Sequence, residues 1–485
     1  MRFNSTVSTK PDAVSYEGGQ SYQKSATEDW MNFLFSSHLE DRFYEDGLTQ
    51  TNRFINLTDR MLEDYGAEFV AKAALFARNE LGMRSASQLT AALLNSEKFA
   101  DKRAFFRNYP RRADDPAEIF AAIDFMGDKR SHAMIRGFGD YISSLSPYAL
   151  GKYKLNNREY NMFDIINITH AHSDAIDAYK AGTLESPDTW EVAISGAEDE
   201  HSRNEEWIRL VEEHKLGYLA LIRNLRNILN SGVTNAWIED YLYPQLKDET
   251  AIRKSMVFPY QIYSAYKNME YHNSLVVLGL EKAFQIAIKN MPELEGDTVI
   301  LLDISGSMTS PISYRSNITI REAGAVYAAC IALASENSDI IRFGTHAAKY
   351  DFKKNDNIFD QIAEMDCEGR LGCGTEIEPA YELIDRKYDR IILISDMQIM
   401  DNGRSYWSWY KSKSGNTCYQ EYCKRYGRTP IYSFDLGNYR TQTDNPNNPD
   451  VYLCTSLSEK TLKFISLLES GENLVDYINE NYDYR

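Results

Sequence analysis

No run of the 485 residues is apolar for long enough to cross a membrane. The best stretch, Ala323 to Ala334, falls short of a span and sits in an amphipathic setting. The opening MRFNSTVSTKPDAVS lacks the apolar core of a signal peptide, so secretion is not expected. Cysteine is scarce: six residues (Cys330, Cys367, Cys373, Cys418, Cys423, Cys454), all in the C-terminal part and none in a C-x-x-C pair. Neither a zinc ribbon nor a thioredoxin motif is indicated, and reduced thiols in a cytoplasmic protein are expected. A basic excess is also missing. The net charge is −18, from 53 Lys+Arg against 71 Asp+Glu, which argues against indiscriminate coating of nucleic acid. Residues 1–290 hold 33 Lys+Arg and 41 Asp+Glu, leaving 20 and 30 for the remainder. Any affinity for RNA must therefore come from locally segregated charge.

What is present is ordinary for a soluble globular chain of two or more domains, with 43% hydrophobic and 26% charged residues. Residues 1–25 are polar, carry the Gly18-Gly19 pair and suggest an extended arm. From there to about 290 the pattern is helical. GAEFVAKAALFARNE (Gly66 to Glu80) places Phe69, Ala73, Phe76 and Ala77 on one face. Ser87–Leu94, Asp115–Met126, Ala133–Leu145, Met162–Ile168, Trp207–Leu229 and an interrupted Pro259–Lys289 continue in that style. Helices joined by short polar turns suggest a helical-pair solenoid over 26–290, without a strict period.

Asn290 to Gly296 forms a polar connector, and a second domain, 296–485, is expected beyond it. There the pattern alternates: strands at Thr298–Leu302, Ser338–Phe343, Arg390–Ile394 and Thr429–Phe434, helices at Thr319–Glu336, Glu378–Arg386, Ser458–Leu468 and Asn473–Asn481. That is a doubly wound α/β arrangement. Asp401–Arg428, rich in Tyr, Trp, Ser and Lys, gives no clear pattern.

The first of these strands ends abruptly in Asp303, Ser305, Gly306 and Ser307. Ligands of α/β sheets gather at the carboxyl ends of strands, and hydroxyl and carboxylate oxygens there suit a hard divalent cation, most naturally Mg²⁺. Two distant loops supply companions: Thr375, before a helix, and Asp396, at the end of another apolar strand. The plain alternative is that these acids and hydroxyls merely cap turns and helices. An aspartyl-nucleophile phosphatase would need a second carboxylate where Ser305 stands. In order and context, Asp303, Ser305, Ser307, Thr375 and Asp396 resemble the metal-ion-dependent adhesion site of von Willebrand factor A domains.

Further stretches extend the likeness. Tyr16 to Tyr22, Phe35 to Tyr44, Ala77 to Ser85, Leu221 to Leu225, Pro259 to Lys267 and Tyr432 to Thr441 together resemble the Ro autoantigen family, which joins a helical-repeat TROVE module to a von Willebrand factor A domain. The resemblance implies a HEAT-like α-helical ring followed by that α/β domain. It further implies binding of single-stranded 3′ ends of misfolded non-coding RNA in a central hole, and of Y-type RNA outside. A passage of limited width would admit one strand and refuse a duplex without reading sequence.

Three basic groups are the candidate RNA contacts. Lys102, Arg103, Arg107, Arg111 and Arg112 are interleaved with Phe105, Phe106 and Tyr109, so that cations can meet phosphates and rings can stack on bases. The competing reading is an exposed helix face whose aromatics are core. Lys129, Arg130 and Arg136, with His132, form the second group, and the resemblance puts basic residues of this region on the RNA-facing side. Lys152, Lys154, Arg158, His170 and His172 form the third, and the family has a comparable Lys-rich segment and Ser-His pair that contact RNA, with Thr169 here in place of the Ser. His170-x-His172 with Asp174 can also be read as metal ligands. Arg84 is as well suited to tie helices together as to touch RNA. The acidic run Glu198–Glu206 is unfavourable for broad RNA affinity.

Three readings follow. The first is a non-catalytic, monomeric RNA-binding ring protein for non-coding RNA quality control, whose Mg²⁺-bearing domain braces the ring or recruits a ribonuclease or other protein. The second is a metal-dependent protein adaptor to which RNA is incidental. The third, a Mg²⁺-dependent hydrolase, lacks any nucleophile–base constellation.

Overall fold

Alternation along one apolar strand accounts for the centre of the α/β region. The structure, a computed structural model, describes residues 11–36, 39, 45–152, 159–184, 190–313, 316–367, 369, 371–400, 413–446, 448–454, 465 and 474–485. By contact it divides into two compact units, each built from separated stretches of chain.

The first unit comprises residues 1–50, 217–229 and 233–471. It holds nine described strands: β1 (Ala13–Val14), β2 (Gln20–Gln23), β3 (Leu294–Asp303), β4 (Ser335–Phe343), β5 (Ala347–Tyr350), β6 (Arg390–Ser395), β7 (Ile431–Asp435), β8 (Thr441–Gln442) and β9 (Val451–Cys454). Six form one sheet in the order β5-β4-β3-β6-β7-β9, with only β5 antiparallel. β3 lies in its middle, which is why Val299 to Leu302 can be apolar on both faces. Val299 and Leu301 join Ile391, Leu393, Ile431, Ile377 and the helical Tyr381 and Tyr419 in one core. Leu302 and Ile394 meet the helix Ile320–Ala334 on the other face, at Gly324, where a Cβ would stand 3.3 Å from both side chains. Each such buried aliphatic side chain stabilises by roughly 1.5–3 kcal/mol.

The expected strands are all present, and β5, β9 and the helices Ile358–Asp366 and Gly415–Tyr426 are added to them. The last lies in the stretch whose pattern was unclear; residues 401–412 and, apart from Ile465, the expected helix Ser458–Leu468 lie outside the described residues. By contact the chain does not part at residue 25 or at 290–296. The expected arm is extended but forms β1 and β2, and β2 pairs with β8. The helix Ala26–Ser36, and the helices from Tyr218 to Ile288, belong to the sheet-bearing unit.

The second unit comprises residues 51–216, 230–232 and 472–485. Its helices include Ala67–Asn79, Ser85–Leu93, Lys102–Asn108, Asp115–Met126, His132–Ser143 and Met162–Thr169. Neighbouring helices pack against one another, and small residues set the closest approaches. A Cβ on Gly137 would stand 2.5 Å from the carbonyl oxygen of Arg103, and one on Gly139 2.6 Å from that of Thr169. Ser131 caps His132–Ser143, and Asn161 with Asp164 forms a capping box at Met162. The expected helix Trp207–Leu229 is broken into Glu200–Glu212, Tyr218–Arg223 and Leu225–Asn230. His214, at φ 53°, turns the chain left-handed, and the Lys215 amide closes back on Leu210. The closing helix Leu474–Asn481 packs on Ala67–Asn79, and Phe76 meets Tyr482 edge-on at 5.0 Å.

Candidate metal centre and candidate RNA contacts

The sheet brings the five candidate ligands to one edge. Asp303 ends β3, and Asp396 directly follows the neighbouring β6. Ser305 and Ser307 follow on the tight loop, their hydroxyl oxygens 3.4 Å apart. The Thr375 loop is held there by two backbone bonds: the Gly306 amide donates to Cys373 at 2.9 Å, and Met400 donates to Thr375 at 2.9 Å. All five residues are buried.

Two carboxyls at this edge are fully buried. Asp303 accepts from the Ser305 amide at 2.9 Å and from the Ser395 hydroxyl at 2.6 Å. Burial nonetheless pushes its carboxyl above the ordinary range, against those donors and the more distant Arg321. Asp396 is pushed up to about 8 by burial first and Asp303 second, with the Ser307 hydroxyl and the Gln398 amide opposing. Its Oδ2 is buried without a hydrogen-bond partner. A buried carboxylate oxygen facing a second buried carboxylate is a site that a hard cation would satisfy. Asp303 and Asp396, directly or through water, with the three hydroxyls, would hold it. Among the described residues no three His, Cys, Asp or Glu side chains group as a metal cage, so this donor set depends on hydroxyl and water oxygens.

A third acid stands beside them and is treated differently. Asp435 ends β7, and its raising effect on Asp396 marks its nearness. The fully buried Lys24 ammonium pairs with Asp435 and also donates to the Tyr439 carbonyl. Asn32 Nδ2 donates to the same carboxylate at 2.8 Å, and the Gly437 and Asn438 amides donate at 2.9 and 3.1 Å. The arm also straps the segment after Asp396: Ser15 Oγ donates to Ile399 at 2.6 Å, and Gln398 Oε1 accepts from the Tyr16 amide at 2.8 Å. Lys24, Asn32, Ser395 and Asp435 were missed in the sequence. Only Ser395, a small polar residue at the end of an apolar run beside Asp396, left a local signal.

The basic groups fare unevenly. Lys102 caps the preceding helix, donating to the carbonyls of Asn95 at 2.5 Å and Glu97 at 2.7 Å. Arg103 is paired with Asp140 at 2.7 Å, and Arg112 with Asp114 at 3.0 Å. Arg130 is paired with Asp124 at 2.5 Å and lies over the Phe120 and Tyr160 rings. Phe105, Phe106 and Tyr109 are fully buried, so the expected stacking surface is core instead. The helix turns its aromatic stripe inward because only that face can be removed from water. Arg107 is exposed, bonded only to Asn108 at 3.1 Å and within the field of Asp140. The exposed side chains of Arg111, Lys129 and Arg136 make no ion pair among the described residues.

His170 is the left-handed cap of its helix, at φ 54°, and His172 is also exposed; no metal cluster includes them among the described residues. Lys154, Arg158 and the side chain of Lys152 lie outside the described residues. Arg84 bonds Asp114 at 3.2 Å across two helices, the tying role.

A TROVE-domain family model matches residues 162–274. Telomerase protein component 1 of Rattus norvegicus is 29% identical over 97 residues, a match that covers 19% of this chain and only 4% of that relative's length. The crystal structure of the Deinococcus radiodurans Ro (RSR) protein superposes with a TM-score of 0.62 at 15% identity, covering 91% of this chain and 100% of that one. With a TROVE-matching segment set inside helices and a mixed α/β sheet, the chain is similar to TROVE-domain proteins and shares the fold of the Deinococcus radiodurans Ro protein.

Proposed function

We propose that this chain is a non-catalytic RNA-binding protein that captures single-stranded 3′ ends of non-coding or misfolded RNA within a ribonucleoprotein. The TROVE-domain match and the fold shared with the Ro protein support the reading. The exposed, unpaired Arg111, Lys129 and Arg136 support it, since unneutralised cations are what a phosphate backbone requires in so acidic a chain. A closed HEAT-like ring, a von Willebrand factor A-type domain, a monomeric state, cytoplasmic location and Y-like RNA partners belong to the same proposal. A divalent cation, Mg²⁺ by the hardness of the donors, belongs at Asp303, Ser305, Ser307, Thr375 and Asp396. There it would brace the fold or accept a carboxylate from a protein partner such as a ribonuclease.

The second reading, a metal-dependent adaptor, is favoured by the unpartnered Asp396 Oδ2. One experiment separates the two. Binding of small RNAs with unpaired 3′ ends is measured with and without chelator, for the native chain and for Arg111→Glu with Arg136→Glu. The RNA reading expects chelator-insensitive binding, weakened about tenfold or more by charge reversal and steeply by salt. Absence of RNA binding by the native chain, with a protein partner lost on chelation, would sink it in favour of the adaptor.

A further inference from the structure

A further group of cations, outside the three basic groups singled out in the sequence, lies in the sheet-bearing unit. The helices Tyr218–Arg223, Leu225–Asn230 and Pro259–Lys267, with the turn at Asn317, enclose an open groove of about 480 Å³. That volume is within the roughly 300–1,000 Å³ of small-ligand sites. Arg223 and Arg226 are both exposed on it and make no ion pair among the described residues. Among the described residues no Asp or Glu lines the groove. In a chain of net charge −18, where Arg78, Arg84, Arg103, Arg112, Arg130 and Arg386 are all paired, two adjacent unpaired guanidinium groups are an anion-binding arrangement.

The remaining lining is not that of a simple anion site. Tyr260 presents a ring whose hydroxyl is tied to Ser316. Gln261 spends its Oε1 on the Phe258 amide at 3.0 Å, and its Nε2 makes no hydrogen bond among the described residues. Asn317 Nδ2 donates to Asn268 Oδ1 at 3.1 Å, and the Asn317 side-chain oxygen accepts no hydrogen bond among the described residues. The Asn227 side chain is exposed on the same groove. An open amide donor and an open amide acceptor complement the edge of a nucleobase, which carries both, and the ring offers a face for stacking. An acidic peptide would use the arginines and leave the ring and amides idle.

We propose that the groove bounded by Arg223, Arg226, Tyr260, Gln261 and Asn317 holds one unpaired nucleotide of a bound RNA strand, its phosphate on the two arginines and its base against the ring and amides. The proposal rests on the RNA-binding reading above and adds a site that discriminates between bases.

The test uses the full chain and fluorescein-labelled ten-nucleotide homopolymers of A, C, G and U, followed by anisotropy over a salt series. Arg223→Gln with Arg226→Gln is expected to weaken every homopolymer by about tenfold and to lower the salt slope by about one to two. Asn227→Ala with Gln261→Ala is expected to leave that slope unchanged and to alter the ratio between the best and worst homopolymer by about fivefold. As a readout that needs no variant, a 4-thiouridine oligonucleotide should cross-link to the peptide carrying Tyr260. If the native chain binds RNA, both double variants behave as native and the cross-link maps elsewhere, the groove assignment is overturned while the RNA reading stands. If the native chain binds no oligonucleotide, the RNA reading falls and the groove assignment with it. Displacement of the oligonucleotides from native protein by a glutamate-rich peptide, with no cross-link at Tyr260, would reassign the groove to an acidic protein.

Discussion

In the sheet-bearing unit the charged groups of interest are buried and placed by strand ends; in the helical unit they are exposed and mostly neutralised by neighbours. Asp303, Asp396 and Asp435 converge because adjacent parallel strands finish at one edge. Lys102 and Arg103 on a helix, and Arg112 and Arg130 in the loops between helices, find nearby carbonyls or acids. Buried charge is costly unless matched, so its partners are few and specific, whereas exposed charge finds partners cheaply and each contributes little. A cluster of basic letters on helices is therefore weaker guidance than an acid at the end of an apolar strand.

The largest expected effect tests the buried side of this contrast. Lys24→Met leaves Asp435 without its cation inside the protein and should cost about 3–5 kcal/mol, read from urea unfolding. A loss below about 1 kcal/mol would mean that Asn32 and the loop amides suffice without Lys24.

A titration sharpens the same point. Burial pushes the Asp444 carboxyl up to about 7, against a bond from Ser433. Its folded-state pKa lies above the unfolded value, so its contribution to stability is complete below about pH 4 and fades as the pH rises to about 7. Denaturation between those limits should show stability falling with pH, by at most about 1.4 kcal/mol per pH unit from this group. Asp444→Asn should make that portion of the profile less steep, the remaining slope coming from Glu28 and Asp396, which burial also raises, and an unaltered profile would remove Asp444 as a source.

The smallest effect is expected on the exposed side. Arg103→Gln breaks the pair with Asp140 yet should leave Tm unchanged within error and RNA affinity within about twofold. A loss as large as that of the Arg111→Glu, Arg136→Glu variant would show that ion pairing does not disqualify a cation from RNA contact.

How much of this was legible follows the same division. The strand Thr298–Leu302 and the acids Asp303 and Asp396 were readable because a buried parallel strand must be apolar throughout and its end must turn, whereas Thr375 was singled out by the likeness to the adhesion-site motif. The helix Asp115–Met126 was readable from its period. The clamp of Lys24 on Asp435 was not, because 411 residues separate them and neither sits in a local pattern. The inward turn of Phe105, Phe106 and Tyr109 was one of two readings, and a seven-residue helix is too short for periodicity to choose between them.

By itself the sequence determined the two kinds of architecture, the Ro likeness and the acids and hydroxyls at the strand ends, all of which rest on periodicity and on neighbours along the chain. Tertiary structure decided which cations stay free, that the N-terminal segment straps the sheet edge, and that Arg223 and Arg226 share a groove with Tyr260 and Asn317. The physical reason is that pairing and burial are settled between residues distant in sequence, where composition and spacing carry no information about who meets whom.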